Sequence, residues 1–94
     1  TFETLGGVYM MIEQNVADSL KKDLQKSEKS CVRIRVIGFG WGGPRFDIVL
    51  DEQRKNDSVL EKDGIKFVID RDYDYYLGGM EVIETSHGYA VRAY

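Results

Sequence analysis

The sequence predicts one mainly β domain, a barrel-like sandwich of two small mixed or antiparallel sheets with one N-terminal helix. Segments in which apolar and polar residues alternate recur through most of the chain after residue 30. Short connections separate these segments, which favours antiparallel neighbours, and one amphipathic segment precedes them. A chain of 94 residues has room for one hydrophobic core and not two.

The composition is that of a folded domain and argues against several classes of function. Hydrophobic residues make up 43% and charged residues 31% of the chain, close to the averages of globular domains. The net charge of −3 argues against a nucleic-acid partner, because phosphate binding needs a concentrated positive surface. No apolar run approaches the ~18 residues of a membrane span, and no signal peptide is visible. We therefore expect a cytoplasmic protein with no membrane partner.

The first elements are predicted between Met10 and Lys26. Residues 1–9 are expected to be an added or flexible N-terminal segment, and residues 10–94 the domain. The short apolar stretch that starts at Met10 predicts a strand. Asn15 then caps a helix that ends at Lys26, since apolar side chains recur on one face at helical spacing; they are Val16, Ala17, Leu20 and Leu24.

Two alternating segments, Cys31 to Ile37 and Arg45 to Leu50, predict paired strands on either side of a Gly-rich stretch. Arg33 and Arg35 are expected to face water or a second surface. The side chains predicted to face the core are Val32, Ile34 and Val36 in the first strand and Phe46, Ile48 and Leu50 in the second.

A polar connection, Asp51 to Asp57, leads to a predicted hairpin. Strands over Ser58 to Glu61 and Ile65 to Ile69 are joined through Lys62-Asp63-Gly64. Gly64 can adopt the positive φ that such a tight turn requires.

The segment Asp70 to Leu77 predicts a short helical turn, ended by Gly78-Gly79. Its alternating acids, with Glu81 at the twelfth position, are also similar to a calcium-binding loop. The sixth position is Tyr75, however, where such a loop needs glycine for its sharp turn. We therefore favour the interpretation in which Asp72 caps the helical turn.

A second hairpin is predicted at the C-terminal end, with strands over Met80 to Glu84 and Tyr89 to Ala93. Its turn, Ser86-His87-Gly88, contains the single histidine. General-base catalysis by His87 would require a nearby nucleophile and an orienting carboxylate, and the sequence places neither. We expect an exposed turn residue.

The Gly-rich stretch from Gly38 to Pro44 is the most unusual part of the sequence. It holds four of the ten glycines, the single proline and the single tryptophan. Glycine at this density lets backbone amides line a concavity or lets another molecule approach closely. The stretch lacks the Lys-Ser/Thr ending of a nucleotide-binding P-loop. Taken alone, it predicts a wide turn or bulge between paired strands, with Phe39 and Trp41 as packing residues.

The stretch from Val32 to Glu52 resembles the central signature of the HesB-like (A-type iron–sulfur carrier) family. That signature is an alternating strand, a Gly-rich turn bearing a cysteine, a second alternating strand and an Asp-Glu pair, here Asp51-Glu52. The ending Gly42-Gly43-Pro44 is similar to the HesB-like subgroup that includes selenoproteins. Further similarity covers Asp63 to Asp70, Leu77 to Glu84 and Gly88-Tyr89. The resemblance extends from about Met11 to Tyr94 and implies the two-sheet fold predicted above.

The resemblance also implies where the family's ligands would lie. The family holds iron or iron–sulfur clusters through one cysteine in the central turn and a Cys-x-Cys pair near the C-terminus. The turn cysteine matches Trp41 here, with Phe39 as a second match, and neither side chain can ligate a metal. The 94 residues contain one cysteine, Cys31, and no Cys-x-Cys pair.

We therefore expect a degenerate HesB-like domain without a cofactor or enzymatic activity. Such a domain would be a binding or accessory module linked to iron–sulfur or sulfur metabolism. Its protein partner is predicted to dock on six residues of the Gly-rich stretch: Phe39, Gly40, Trp41, Gly42, Gly43 and Pro44.

Cys31 and His87 leave an alternative open. A homodimer could bring two Cys31 residues together across a two-fold axis, with His87 or an acidic residue as a further ligand. Such a dimer would carry iron or an iron–sulfur cluster. Considered alone, Cys31 is predicted to be a small buried hydrophobe, although Arg33 and Arg35 could lower its pKa and make it reactive.

Overall fold

The computed structural model describes residues 3–5, 8–74 and 79–93. These residues contain a single α-helix and eight strands, arranged in two four-stranded sheets with the strand orders β1-β2-β7-β8 and β4-β3-β6-β5. In chain order, the elements are β1 (Glu3–Leu5), β2 (Val8–Ile12), α1 (Gln14–Lys26), β3 (Cys31–Gly40), β4 (Gly43–Asp51), β5 (Asp57–Lys62), β6 (Ile65–Asp70), β7 (Gly79–Thr85) and β8 (Gly88–Ala93).

Both sheets are mixed. The pairs β2–β7 and β3–β6 are parallel, whereas the other neighbouring strands are antiparallel. The edge strands of the two sheets approach each other, β4 beside β8 and β1 beside β5, which gives the sandwich its barrel-like closure. The predicted fold class is confirmed.

The hydrophobic core lies between the two sheets and α1. Met10, Phe67 and Met80 are each 1% exposed and come from three different strands. The helix contributes Val16, Ala17 and Leu20. The strand faces predicted from alternation are confirmed: Val32, Ile34 and Phe46 are buried, and Val36, Ile48 and Leu50 pack against the core while partly exposed.

The N-terminal end of α1 differs from the prediction. Asn15 is already helical, and the N-cap is Glu13, whose carbonyl accepts the N–H of Ala17 at 2.9 Å. A capping residue needs extended backbone angles, and Glu13 is the single residue between β2 and α1 that has them (φ −72°, ψ 150°). The capping role predicted for Asn15 is therefore wrong.

The first strands extend further toward the N-terminus than predicted. β2 begins at Val8, so the domain boundary predicted after Tyr9 falls inside a strand. β1 lies wholly within residues 1–9 and pairs with β2 through the Glu3–Met10 to Leu5–Val8 register.

The two later hairpins are confirmed, and both have two-residue turns. Lys62 pairs with Ile65, and the intervening Asp63 and Gly64 have φ values of 54° and 79°. Positive φ at both positions is typical of a type I′ turn, whose twist matches that of the flanking strands. In the second hairpin, Thr85 pairs with Gly88 around Ser86 and His87.

The helical turn predicted at Asp70 to Leu77 lies partly outside the described residues, which omit 75–78. Before that gap, the Tyr73 N–H bonds to the Asp70 carbonyl at 2.9 Å. The Asp70 carboxylate accepts the N–H of Asp72 at 2.9 Å. Asp70 therefore has the capping role that was wrongly predicted for Asp72.

Candidate docking site

The β3–β4 hairpin carries the Gly-rich stretch at its far end. Its register runs from Cys31 opposite Asp51 to Gly40 opposite Gly43, with an irregularity between Val36 and Gly38. Trp41 and Gly42 remain as a two-residue turn, and Gly43 follows with a φ of 107°. The predicted bulge is confirmed, but the wide turn is wrong, because pairing continues almost to the end of the hairpin. We call residues 37–45 the tip.

Large apolar side chains of the tip are exposed to solvent. The relative exposure is 109% for Trp41, 63% for Phe39 and 58% for Ile37. The prediction that Phe39 and Trp41 are packing residues is therefore wrong. The tip lies beyond Val32 and Arg33, the positions at which β3 pairs with β6, and none of its residues belongs to the core cluster.

Two open clefts meet at Ile37, which lines both. The first has a volume of about 430 Å³, and Phe39 and Tyr73 are among its apolar lining residues. The second has a volume of about 670 Å³ and is lined by Trp41, Pro44, Phe46 and Val91 among others. The tip therefore combines projecting aromatic side chains with concave surface beside them.

The two arginines on the outer part of the hairpin differ, because Arg35 is paired with an acid and Arg45 is not paired with any described acid. Arg35 binds Asp47 across the strands through two hydrogen bonds, of 2.8 and 2.5 Å. Arg45 lines the second cleft and forms no ion pair within the described part of the chain. Its side chain lies across Gly40, where an added Cβ would be 3.7 Å from Cδ and 3.8 Å from Nε of Arg45.

Arg33 forms a buried ion network that fixes the connection after β4. Its guanidinium donates to both carboxylate oxygens of Asp57 at 2.8 and 2.7 Å, and to Asp51 at 2.6 Å. It also donates to the Glu52 carbonyl at 3.1 Å. The prediction that Arg33 faces water or a second surface is corrected: it is 5% exposed, because the connection folds over it. Alternation could not indicate this, since the acids lie 18 and 24 residues further along the chain.

The network shifts the pKa values of its members toward the charged forms. Hydrogen bonds from Arg33 lower the pKa of Asp57, and the Glu52 N–H together with Arg33 lowers the pKa of Asp51. The hydrogen bond with Asp57 raises the pKa of Arg33. Every charge in the interior of this network is paired, as buried charges require.

Cys31 lies at the opposite end of the hairpin from Trp41. Ten residues along a strand correspond to roughly 30 Å. Its side chain is fully buried (0% exposed), and its thiol donates to the Asp51 carbonyl at 3.1 Å. Burial raises the pKa of the Cys31 thiol, outweighing the lowering by Arg33. The prediction of a small buried hydrophobe is confirmed, and the prediction of a reactive thiol is wrong.

The burial of Cys31 predicts slow thiol chemistry. In the native protein, labelling by an aromatic disulfide reagent is expected to be limited by opening of the fold, because a buried protonated thiol is a poor nucleophile. In denaturant the same thiol should react at once. The measurement is the release of the coloured leaving group with and without denaturant. Equally fast labelling under both conditions would show that Cys31 is accessible.

The remaining ligand candidates do not converge into a metal site within the described part of the chain. His87 is exposed in its turn, as predicted, with Nδ1 3.4 Å from Ser86 Oγ. Asp70 accepts a hydrogen bond from Asn56 at 3.0 Å, and Asp74 accepts one from Ser58 at 2.8 Å. Across residues 3–5, 8–74 and 79–93, no three His, Cys, Asp or Glu side chains converge so that they could hold a metal ion.

The sequence is similar to proteins of iron–sulfur cluster insertion. It is 34% identical over 76 residues to the iron–sulfur cluster insertion protein ErpA of Alkalilimnicola ehrlichii, covering 80% of this chain and 54% of that protein. It is 35% identical over 69 residues to ErpA of Halorhodospira halophila, covering 70% of this chain and 56% of that protein. The chain thus spans just over half the length of these curated relatives. No family model matches the sequence.

Solved structures share the fold. The crystal structure of IscA with the 2Fe-2S cluster superposes with a TM-score of 0.64 at 22% identity, covering 90% of this chain and 83% of that one. Escherichia coli SufA, which is involved in the biosynthesis of iron–sulfur clusters, gives 0.71 at 19% identity, with 98% and 82% covered. An Aquifex aeolicus protein gives 0.65 at 25% identity, with 98% of each chain covered.

These comparisons support the resemblance to HesB-like iron–sulfur carriers. The homologues are iron–sulfur cluster insertion proteins by name, and the small β-rich fold is the one seen in IscA and SufA. Among the described residues, no helical segment has the length and apolar character needed to cross a lipid bilayer.

Proposed function

We propose that this chain is a HesB-like domain, closest to the Gly-Gly-Pro subgroup, that docks a protein partner through its tip instead of holding a cluster there. In this proposal it is a non-catalytic accessory module of iron–sulfur or sulfur metabolism. The observation that carries the proposal is the complete exposure of Trp41 at the position where the resemblance places the turn cysteine.

The chemistry of the tip supports docking over ligation. Iron–sulfur clusters are usually held by thiolates, and the tip offers only indole, phenyl, aliphatic and guanidinium groups. Tryptophan and arginine, in contrast, are enriched among the residues that dominate binding energy at protein interfaces. An indole that contributes nothing to the core and is held at the turn of a hydrogen-bonded hairpin is suited to anchor a partner.

The alternative of a carrier built on Cys31 across a homodimer has less support. A ligating thiol must be accessible and deprotonated, whereas Cys31 is fully buried and burial raises its pKa. Pairing two Cys31 residues would require each thiol to leave its buried position beside the Asp51 carbonyl.

We propose that the protein acts in the cytoplasm, with neither nucleic acid nor membrane as a partner.

Anaerobic reconstitution tests the proposal. After incubation with iron, sulfide and a thiol reductant, followed by desalting, we expect this chain to retain far less than one iron per monomer and no visible absorption from a cluster. The Cys31→Ser variant is expected to give the same result. The measurements are iron content and the visible spectrum, with IscA treated in parallel as the positive control. A stoichiometric cluster that disappears in Cys31→Ser would support the carrier alternative instead.

A further inference from the structure

We infer that the tip recognises an acidic-apolar segment, a stretch of a protein partner in which a carboxylate stands next to a large apolar side chain. This inference rests on the proposed docking function and adds to it the chemistry of the partner. It is carried by two features of the second cleft, the apolar side chains among its lining residues and the unpaired cation on its wall.

The apolar half of the cleft provides a place for a side chain of the partner. Its volume of about 670 Å³ is within the range of about 300–1,000 Å³ typical of clefts that bind small groups. Trp41 and Phe46 line it. A Cβ added at Gly42 or Gly43 would meet no atom within 4 Å, so both glycines border open space.

The polar half of the recognition comes from Arg45. A guanidinium presents a planar fork of donors that matches a carboxylate. Arg45 lies across Gly40, next to the turn that carries Trp41, so the cation and the indole line one cleft. Within the described residues no carboxylate neutralises Arg45. A partner that brings its own carboxylate would complete this pair.

The charges on the hairpin argue against a symmetric pairing of two tips, in which a second copy of this chain would be the occupant. The acid nearest to Arg45 on the hairpin is Asp47, and Arg35 already binds both of its oxygens. Two tips that met about a two-fold axis would therefore bring Arg45 against Arg45 with no free carboxylate on either hairpin. Like charges placed together in an interface disfavour that pairing.

The inference can be tested by fluorescence, because Trp41 is the single tryptophan of the chain. Its emission therefore reports on the tip alone. We would titrate the protein with two blocked hexapeptides of identical apolar content. One has the sequence Gly-Asp-Leu-Phe-Asp-Gly, and the other has asparagine in place of both aspartates. Both peptides should change the Trp41 emission, and the acidic peptide should bind about two- to fivefold more tightly, the range expected for an exposed charge pair.

Two matched variants test whether Arg45 is the cation that causes the preference for the acidic peptide. Arg45→Gln should abolish the preference for the acidic peptide, so that the two peptides bind with equal affinity. Lys22→Gln, which removes an equal charge from the exposed part of α1, should leave the preference intact. Added salt should weaken the binding of the acidic peptide but not that of the amide peptide.

The outcomes separate this inference from the proposed function. Equal affinity of wild-type protein for both peptides would overturn the acidic preference while leaving docking at the tip in place. Failure of both peptides to change the Trp41 emission would count against the inference and against docking of apolar segments. A change in emission with protein concentration alone, accompanied by dimerisation in sedimentation, would make a second copy the occupant and overturn the inference.

Discussion

Replacing Arg33 with methionine is expected to lower the free energy of unfolding by about 3–5 kcal/mol, the usual cost of removing one partner of a buried ion pair. Asp57 is 6% exposed, and the substitution would leave its carboxylate without the guanidinium that binds both of its oxygens. Urea denaturation followed by circular dichroism measures the loss.

Arg35→Met is the matched control, because Arg35 lies two residues along the same strand and makes the same kind of two-point contact with Asp47. That pair is exposed, with side-chain exposures of 48% and 33%, and exposed pairs contribute little. A loss as large as that of Arg33→Met would show that burial is not the cause. The double variant Arg33→Met/Asp57→Leu should recover part of the lost stability, since it removes the orphaned charge as well.

The stabilisation by this network should also depend on pH with a definite sign. The pKa values of Asp51 and Asp57 are lowered below the ordinary value of 3.8 in the folded protein. Their contribution is therefore fully present well above 3.8 and is lost as the pH falls through the lower folded values. The difference in stability between wild type and Arg33→Met should be constant well above pH 3.8 and should narrow as the pH falls below that value.

The contrast between Arg33 and Arg35 marks the limit of what alternation predicts. The pattern over Cys31 to Ile37 identified the strand and its core-facing side correctly, because the positions that face the core alternate with those on the other side. It treated the two arginines alike. Only the chain path brings Asp51 and Asp57 over Arg33 and leaves Arg35 at the surface.

The pairing between distant strands could not be predicted either, because it also depends on the path of the chain. The hairpins at Lys62–Ile65 and Thr85–Gly88 were predictable from local turn residues. The parallel pairs β2–β7 and β3–β6 join segments far apart in the chain, and no short-range pattern encodes their register. The capping of α1 by Glu13 was missed because propensity favours Asn as a cap, whereas the end of β2 decides where the helix begins.

The candidate site was predicted in composition but not in geometry. The sequence located the six residues Phe39 to Pro44 and their lack of metal ligands, and their role in docking stays a prediction. The Gly-rich pattern taken alone favoured packing positions for Phe39 and Trp41, because large aromatics usually pack in cores, whereas the resemblance led to the prediction that both dock a partner. It also gave no weight to Arg45, which lines the same cleft as Trp41 and forms no ion pair within the described residues. A charged residue directly after a Gly-Gly-Pro turn was the one available signal.

Truncating an aromatic side chain should have opposite consequences in the core and at the tip. Phe67→Ala is expected to lower the free energy of unfolding by about 3–5 kcal/mol, the cost of emptying a large core position. Phe67 is 1% exposed and lies between Val32 and Leu60 on the neighbouring strands. Trp41→Ala should change stability by no more than about 0.5 kcal/mol, as surface substitutions usually do.

The comparison of Trp41→Ala with Phe67→Ala tests whether Trp41 has a structural role. If Trp41→Ala leaves the denaturation midpoint unchanged, the fold does not need the indole, and its exposure at the turn of the hairpin calls for a role outside folding. A loss similar to that of Phe67→Ala, measured in the same denaturant series, would show instead that the indole packs against the protein in solution. In that case Trp41 would be a structural residue, and the tip would lose the anchor on which docking depends.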